Sequence, residues 1–204
     1  MVDTVYTIGY SGFSLDAFIQ TITARGISLV IDVRSQPFSR YYNEYNRENL
    51  EKVLSRCRIH YRSYAAELGG KQTDRRYYTA GTYFDFERYA QSESFAAGFE
   101  KVKQSLERGY SISLMCAEKD PFNCHRAIMI ARVFHEAGFK VIHLLPDNKE
   151  MTQEDIEERL LARYFPAPEQ PVLFESAMNR EEALILAYRK RNEDMGKRFS
   201  EEQT

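Results

Sequence analysis

Residues 5–33 of the chain are VYTIGYSGFSLDAFIQTITARGISLVIDV, and this stretch decides the fold. Val5–Ile8 is β-branched and aromatic, and it runs into the glycine-containing turn Gly9–Gly12. Ser14 is placed to cap a helix with apolar residues on one face, which ends at a glycine. Residues 27–33 are nearly all apolar, as expected for a strand covered on both faces. Strand, helix and strand in this order predict a right-handed βαβ unit with parallel strands.

The alternation of strands and helices continues along the chain. Further strands are predicted over residues 59–64, 112–115 and 141–145. Further helices are predicted over residues 49–56, 93–108, 125–137 and 152–164. The pattern indicates an α/β fold: an open, doubly wound, mostly parallel sheet of four to five strands with helices on both faces. The polar, tyrosine-rich stretch 69–81 is expected to be a long loop.

The chain is expected to divide into two parts. Residues 1–146 are predicted to form the α/β domain, and residues 147–204 a helical C-terminal extension with a proline-rich linker at 166–171. Residues 175–199 have the pattern of an amphipathic helix. This helix is expected to pack on the core or to form a homodimer with a second subunit.

The composition bears on location and on partners. The formal net charge of −2 gives no strong global attraction to nucleic acid. No apolar run approaches the ~20 residues of a membrane span, and the first residues lack a signal-peptide pattern. Three cysteines are an odd number without disulfide-framework spacing, which fits a reducing compartment. We therefore expect a cytoplasmic protein with no membrane partner.

Charge is unevenly distributed along the chain. Residues 34–76 contain ten Lys and Arg against five Asp and Glu, with tyrosines interleaved. From residue 147 to the end the balance reverses, with fourteen acidic residues against nine basic ones. The first stretch is either a positive surface that could meet nucleic acid or a set of scattered, solvated charges.

Polar residues follow three of the predicted strands, where ligands bind in open parallel sheets. After the first strand, the glycines around Tyr10 and Ser11 would let a ligand approach the backbone and the next helix N-terminus. After the second strand, Asp32 and Arg34 would face the same side. They form either a structural pair or, with Arg40, a bidentate site for phosphate or carboxylate.

The third strand end is the richest in chemistry. Cys116, Glu118, Lys119, Cys124, His125 and Arg126 fall within eleven residues that join a buried strand to a helix. His125 and Arg126 would lie in the first helical turn, where a bound anion would offset their unfavourable position against the helix dipole. Glu118 or His125 could transfer a proton, and Lys119 could stabilise a developing oxyanion.

The two cysteines leave several interpretations open. Cys116, Cys124 and His125 could supply three zinc ligands, but the spacing matches no common zinc module and no fourth Cys or His lies nearby, so no metal is expected. The spacing to Arg126 also fits no phosphatase-type thiolate loop. Structural or redox roles for the cysteines remain.

Together the motifs resemble a known family. They are residues 7–11, Asp32–Arg34 with Pro37 and Arg40, residues 67–70, residues 116–119 and residues 124–126. In this order, over about residues 5–145, they resemble the DUF488 family. The family has no assigned function, so the resemblance implies a small prokaryotic α/β domain and a set of positions, without a reaction or a cofactor.

Three functions are consistent with the sequence. The first is an enzyme or ligand-dependent protein that holds a phosphorylated or nucleotide-like anion with Arg34, Arg40 and Arg126. The second is a protein that binds or processes nucleic acid. The third is a non-catalytic interaction domain that uses its C-terminal helix.

Overall fold

The structure is a computed structural model that describes residues 3–80, 82–166 and 178–201, with the side chains of 198–201 left out. Most of the predicted linker and the start of the predicted last helix fall in residues 167–177, outside the described residues.

The secondary structure alternates as expected. The strands are β1 Thr4–Gly9, β2 Leu29–Asp32, β3 His60–Ser63, β4 Tyr78–Thr79, β5 Tyr83–Phe84, β6 Ile112–Cys116, β7 Lys140–Leu144 and β8 Glu150–Thr152. The α-helices are α1 Leu15–Ala24, α2 Arg47–Arg56, α3 Ala65–Leu68, α4 Phe86–Ala90, α5 Glu93–Glu107, α6 Arg132–Glu136, α7 Gln153–Tyr164 and α8 Arg180–Glu201. Short 3₁₀ turns occupy Asn43–Tyr45, Arg75–Tyr77 and Pro121–Asn123, and a π-helix occupies Arg126–Ala131.

Six strands form one mostly parallel sheet in the order β3-β2-β6-β1-β7-β8. Only β8 is antiparallel within it, and β4 and β5 form a separate hairpin among the described residues. The late strand β6 lies between β1 and β2, with Gly9 beside Cys116 and Asp32 beside Met115. The three strands therefore end at one level, and the loops that follow them meet.

Helices cover both faces of the sheet, as predicted. Ser14 caps α1 by accepting a hydrogen bond from the Ala17 N–H, and Phe18 and Ile22 then fall on one buried face. This face and the apolar side of α2 pack on one side of the sheet. The other side is covered by α5, the π-helix, α6, α7 and α8. Within the described residues, none of the helices has both the length and the apolar composition that a membrane crossing needs.

Three details differ from the sequence-based expectation. All five predicted strands are present, but the sheet has six, because the polar edge strand β8 lacks the apolar pattern that marks the others. Residues 69–81 are not one long loop, since they contain a 3₁₀ turn and β4. The helix predicted over 125–137 begins as a π-helix before it becomes α6.

The C-terminal segment is joined to the sheet by a buried chain of hydrogen bonds through His143. Thr7 Oγ1 lies 2.7 Å from His143 Nδ1, and His143 Nε2 lies 2.9 Å from Gln153 Oε1. The Gln153 amide donates to the Tyr188 hydroxyl of α8 and to the Ala127 carbonyl. Because Gln153 Oε1 can only accept, His143 is protonated at Nε2, and the Thr7 hydroxyl can donate to Nδ1 of the neutral ring.

The division of the chain into an α/β domain and a C-terminal extension stays a prediction. A homodimer formed through α8 also stays a prediction.

The neutral state of His143 should make stability depend on pH. Burial, aided by the nearby charge of Arg126, lowers the pKa of His143 to about 3 from its ordinary 6.5. As the pH falls, the unfolded chain binds a proton at His143 before the folded chain does. The stabilisation that the neutral His143 gives to the folded chain is therefore complete above about pH 6.5 and is lost as the pH falls towards 3. From this residue alone we expect the free energy of unfolding to fall by about 2 kcal/mol between pH 7.5 and pH 5.0.

Urea titrations of the wild type and His143→Gln at both pH values measure this contribution. Glutamine does not titrate, so the pH dependence of the variant should be smaller by that amount. An equal pH dependence in the two proteins would contradict the neutral, buried His143.

Candidate functional site

A cavity of about 620 Å³ opens at the C-terminal ends of the central strands. We call it the Arg34 cavity. It is lined by five of the predicted site residues, namely Tyr10, Arg34, Cys116, Glu118 and His125. The three strand ends that the sequence singled out therefore contribute to one site.

Asp32 and Arg34 form a buried pair, which is one of the two interpretations that the sequence left open. Arg34 Nε donates to both Asp32 carboxylate oxygens at 2.9 and 3.1 Å, and Nη2 donates to the Tyr45 carbonyl at 2.9 Å. The Tyr61 hydroxyl donates to Asp32 Oδ2 at 2.7 Å. Burial opposes the charge on Arg34, but hydrogen bonding to Asp32 overrides this and raises the pKa of Arg34. Arg34 is thus a fixed, permanently charged group.

One nitrogen of Arg34 is left over from this network. The side chain is only 5% exposed, and its Nη1 has no hydrogen-bond partner among the described residues. The guanidinium carbon lies 5.2 Å from the centre of the Tyr10 ring. A buried donor without a partner costs about 1–3 kcal/mol, and more when it is charged. Arg34 lines the cavity, so an acceptor that reached Nη1 from there would recover that free energy.

Four side chains meet at the side of the cavity formed by β6 and the following turn. We call Cys116, Glu118, Cys124 and His125 the thiol–histidine cluster. The Glu118 Oε2 atom lies 3.1 Å from Cys116 Sγ and 2.8 Å from Cys124 Sγ. His125 Nδ1 lies 3.7 and 3.9 Å from the same two sulfurs. The cysteines and His125 are buried, and the four potential ligand atoms all lie within 4.8 Å of one another.

The protonation states within the thiol–histidine cluster depend on one another. Burial and the neighbouring Cys124 raise the pKa of Glu118 to about 7. Burial also raises the pKa of Cys116. Burial opposes ionisation of Cys124, but a hydrogen bond from Cys116 and the charges of Arg126 and His125 lower the pKa of Cys124. Despite burial, the contact with Cys124 raises the pKa of His125. The cluster can therefore present a thiolate beside an imidazolium, or several donor atoms to a metal ion.

Arg126 holds the loop that carries Glu118, and it does not line the cavity. It is fully buried and donates to the carbonyls of Glu118 at 2.6 Å and Lys119 at 3.3 Å, and to Thr7 Oγ1 at 3.3 Å. Gly9 is required beside it, since a Cβ there would lie 1.8 Å from the Glu118 carbonyl oxygen. The predicted ligand role of Arg126 stays a prediction, and its contacts are those of a positioning residue.

Three other predicted residues lie outside the cavity lining. The Ser11 N–H donates to the Ala117 carbonyl at 2.9 Å. Lys119 is exposed, and its methylene groups lie close to Gly12. Arg40 is exposed on the loop after β2. Ligand roles for Ser11, Lys119 and Arg40 therefore stay predictions without a contact to the cavity.

The sequence analysis did not identify the residues that cover the cluster. Gly70 packs on His125, since a Cβ at this position would lie 2.6 Å from His125 Cγ. Ser35 Oγ accepts a hydrogen bond from the Lys71 N–H at 2.8 Å and closes the loop. In the sequence, the glycine pair at 69–70 is the feature that could have indicated this close packing. Met195 lines the cavity from α8, and no local pattern indicates that contact.

A second cavity of about 550 Å³ lies between α4, the π-helix and α8. Four of its charged side chains pair with one another, Arg132 with Glu136 at 2.7 Å and Arg189 with Glu87 at 2.6 Å, and Asp85 pairs with Arg88 outside the lining. Because these charges are satisfied within the chain, we place the functional site in the Arg34 cavity.

One protein family matches this chain. The family described as "Domain of unknown function DUF488" matches residues 14–133. No curated protein and no solved structure matches. The matched residues are more than half of the 204 and include Arg34 and the whole thiol–histidine cluster. The chain belongs to the DUF488 family.

Proposed function

We propose that this protein binds a small phosphorylated or nucleotide-like anion in the Arg34 cavity and acts on it at the thiol–histidine cluster. The observation that carries the proposal is Arg34 Nη1, buried and without a hydrogen-bond partner among the described residues. The other groups of this guanidinium are held by Asp32 and Tyr45. An oxygen of the ligand would accept the remaining hydrogen bond, from Nη1.

The fixed geometry of Arg34 favours an oxyanion over a neutral ligand. Charge-assisted hydrogen bonds to phosphate or carboxylate are about twice as strong as neutral ones. Asp32 uses its oxygens on Arg34 and Tyr61, so it is already engaged when a ligand approaches. Lys71 also lines the cavity and adds a positive charge to this side of the protein.

The size of the cavity favours a small molecule. Its volume of about 620 Å³ falls within the range of about 300–1,000 Å³ that is usual for small-molecule sites. Phe38 lines the cavity and is 66% exposed, so an aromatic ring is available for stacking on a base or a sugar. These two features support a nucleotide-like ligand.

The thiol–histidine cluster contains the groups that would react with a bound ligand. Glu118 and His125 line the same cavity as Arg34, so they would lie beside a ligand held there. They remain the candidates for catalysis, with Cys116 and Cys124 as their partners. The three cysteines are unpaired, which fits the reducing environment of a cytoplasmic protein.

Nucleic-acid binding is the second candidate function. Phe38, Tyr41 and Tyr42 are exposed large side chains on one loop, and the exposed Arg40 lies among them. Aromatic rings beside a cation can stack on bases and contact a phosphate. A fluorescence titration with single and double strands at two salt concentrations tests this: binding should weaken steeply with salt. Absent or salt-independent binding would reject this function.

Anion binding is tested by replacing Arg34. Thermal-shift and calorimetric titrations with inorganic phosphate, nucleoside phosphates and sugar phosphates should show stabilisation of the wild type. In Arg34→Lys the charge is kept but Nη1 is lost, so the affinity should fall by about tenfold or more.

The chain offers a matched control. Asp74 and Arg76 repeat the same two-residue spacing and the same forked hydrogen bonds on the surface, away from the cavity lining. Arg76→Lys should therefore leave the affinity unchanged. Stabilisation of the wild type by none of these anions, or an equal loss in both variants, would contradict the proposal.

A further inference from the structure

We infer that the thiol–histidine cluster is a binding site for one zinc ion, with Cys116, Glu118, Cys124 and His125 as its donors. The sequence analysis counted three ligands and found no fourth Cys or His nearby. The fold supplies the fourth donor from Glu118, which approaches both cysteine sulfurs. The inference concerns metal binding alone and stands whether or not the cavity takes an anion.

The spacing of the donor atoms fits a tetrahedral ion. With bonds of about 2.0 to 2.3 Å, neighbouring ligand atoms around zinc lie about 3.3 to 3.8 Å apart. His125 Nδ1 lies 3.7 and 3.9 Å from the two sulfurs. The two thiols each donate a hydrogen bond to Glu118 Oε2, at 3.1 Å from Cys116 and 2.8 Å from Cys124, so these distances are shorter than those between ligands of one zinc ion. The remaining pairs of donor atoms lie within 4.8 Å of one another, so side-chain shifts of up to about 1 Å would bring the set to the geometry of a zinc site.

His125 is oriented as metal-bound histidines usually are. Its Nε2 lies 2.9 Å from the Val33 carbonyl oxygen, which can only accept, so Nε2 carries the proton. In the neutral ring, the lone pair is then on Nδ1, the atom that lies near both sulfurs. A histidine ligand characteristically donates its other N–H to a carbonyl or carboxylate, which fixes the ring and strengthens the ligand. Here the Val33 carbonyl, directly after β2, accepts that hydrogen bond.

The scaffold holds the four donors before any ion arrives. Cys116 is the last residue of β6, and Glu118 follows it on a loop that Arg126 anchors through two carbonyls. Cys124 and His125 are adjacent and lie directly before the π-helix. Single π-helical turns are frequent at functional sites. Little rearrangement is therefore needed on binding, which favours affinity.

The type of donor selects the ion. Two thiolates and an imidazole are soft or borderline ligands that favour zinc over magnesium or calcium, which prefer oxygen. Loss of the thiol protons on binding would remove the hydrogen bonds to Glu118 and free its carboxylate for the ion. Because Cys116, Glu118 and His125 line the Arg34 cavity, the ion would be reachable from solvent.

The test uses the full chain, stripped with a chelator and dialysed against zinc sulfate. We expect one zinc per chain by mass spectrometry of the metal. Cys116→Ser and Cys124→Ser should each weaken zinc binding about 100-fold or more, and Glu118→Gln about tenfold. The third cysteine, Cys57, is exposed and outside the cluster, so Cys57→Ser is the matched control and should bind like the wild type.

Cobalt(II) added to the wild-type chain gives a readout that needs no variant. A tetrahedral site with thiolate ligands should show sulfur-to-cobalt charge-transfer absorption together with strong visible d–d bands. Arg34→Lys should keep both signals, which separates metal binding from anion binding. Far less than one zinc per chain, unchanged affinity in both cluster cysteine variants, or a cobalt spectrum without charge transfer would each overturn the inference.

Discussion

The guanidinium of Arg126 is fully buried, and its hydrogen bonds to the Glu118 and Lys119 carbonyls fix the path of the loop after β6. A buried cation without such partners would cost several kcal/mol, so the loop and the arginine depend on each other. The loop can pass this close to β1 only because position 9 is glycine. Thr7 extends the network to His143 and from there to α7, so the far C-terminal segment also bears on the loop.

The two halves of the site are joined at Val33. Val33 accepts the hydrogen bond from His125, and the next residue is Arg34, whose guanidinium lines the same cavity. The thiol–histidine cluster, at and after the end of β6, and the cation that follows β2 are therefore held in one fixed relation. This follows from the strand order, because β6 enters the sheet between β1 and β2. A ligand bound to Arg34 would lie beside an ion or a thiolate in the cluster.

The sequence predicted the framework better than the details of the site. The apolar runs and helix caps located five strands, and the fold brings Arg34, Glu118 and His125, which the sequence singled out after β2 and β6, to one cavity. The inward turn of Arg126 was not predictable, because it depends on backbone carbonyls that only the folded loop brings close. Local sequence likewise cannot show that Glu118 approaches both cysteines, or that Met195 of α8 reaches the cavity. The polar strand β8 was missed because edge strands need no apolar pattern.

A crystal structure of the protein grown with selenate, with anomalous scattering from selenium, tests most directly the proposal that Arg34 binds an anion. Selenate has the shape and charge of sulfate and resembles phosphate. The predicted result is an anomalous peak in the Arg34 cavity with an oxygen about 3 Å from Nη1. A cavity without such a peak, with Nη1 hydrogen-bonded to an oxygen of the chain itself, would contradict it.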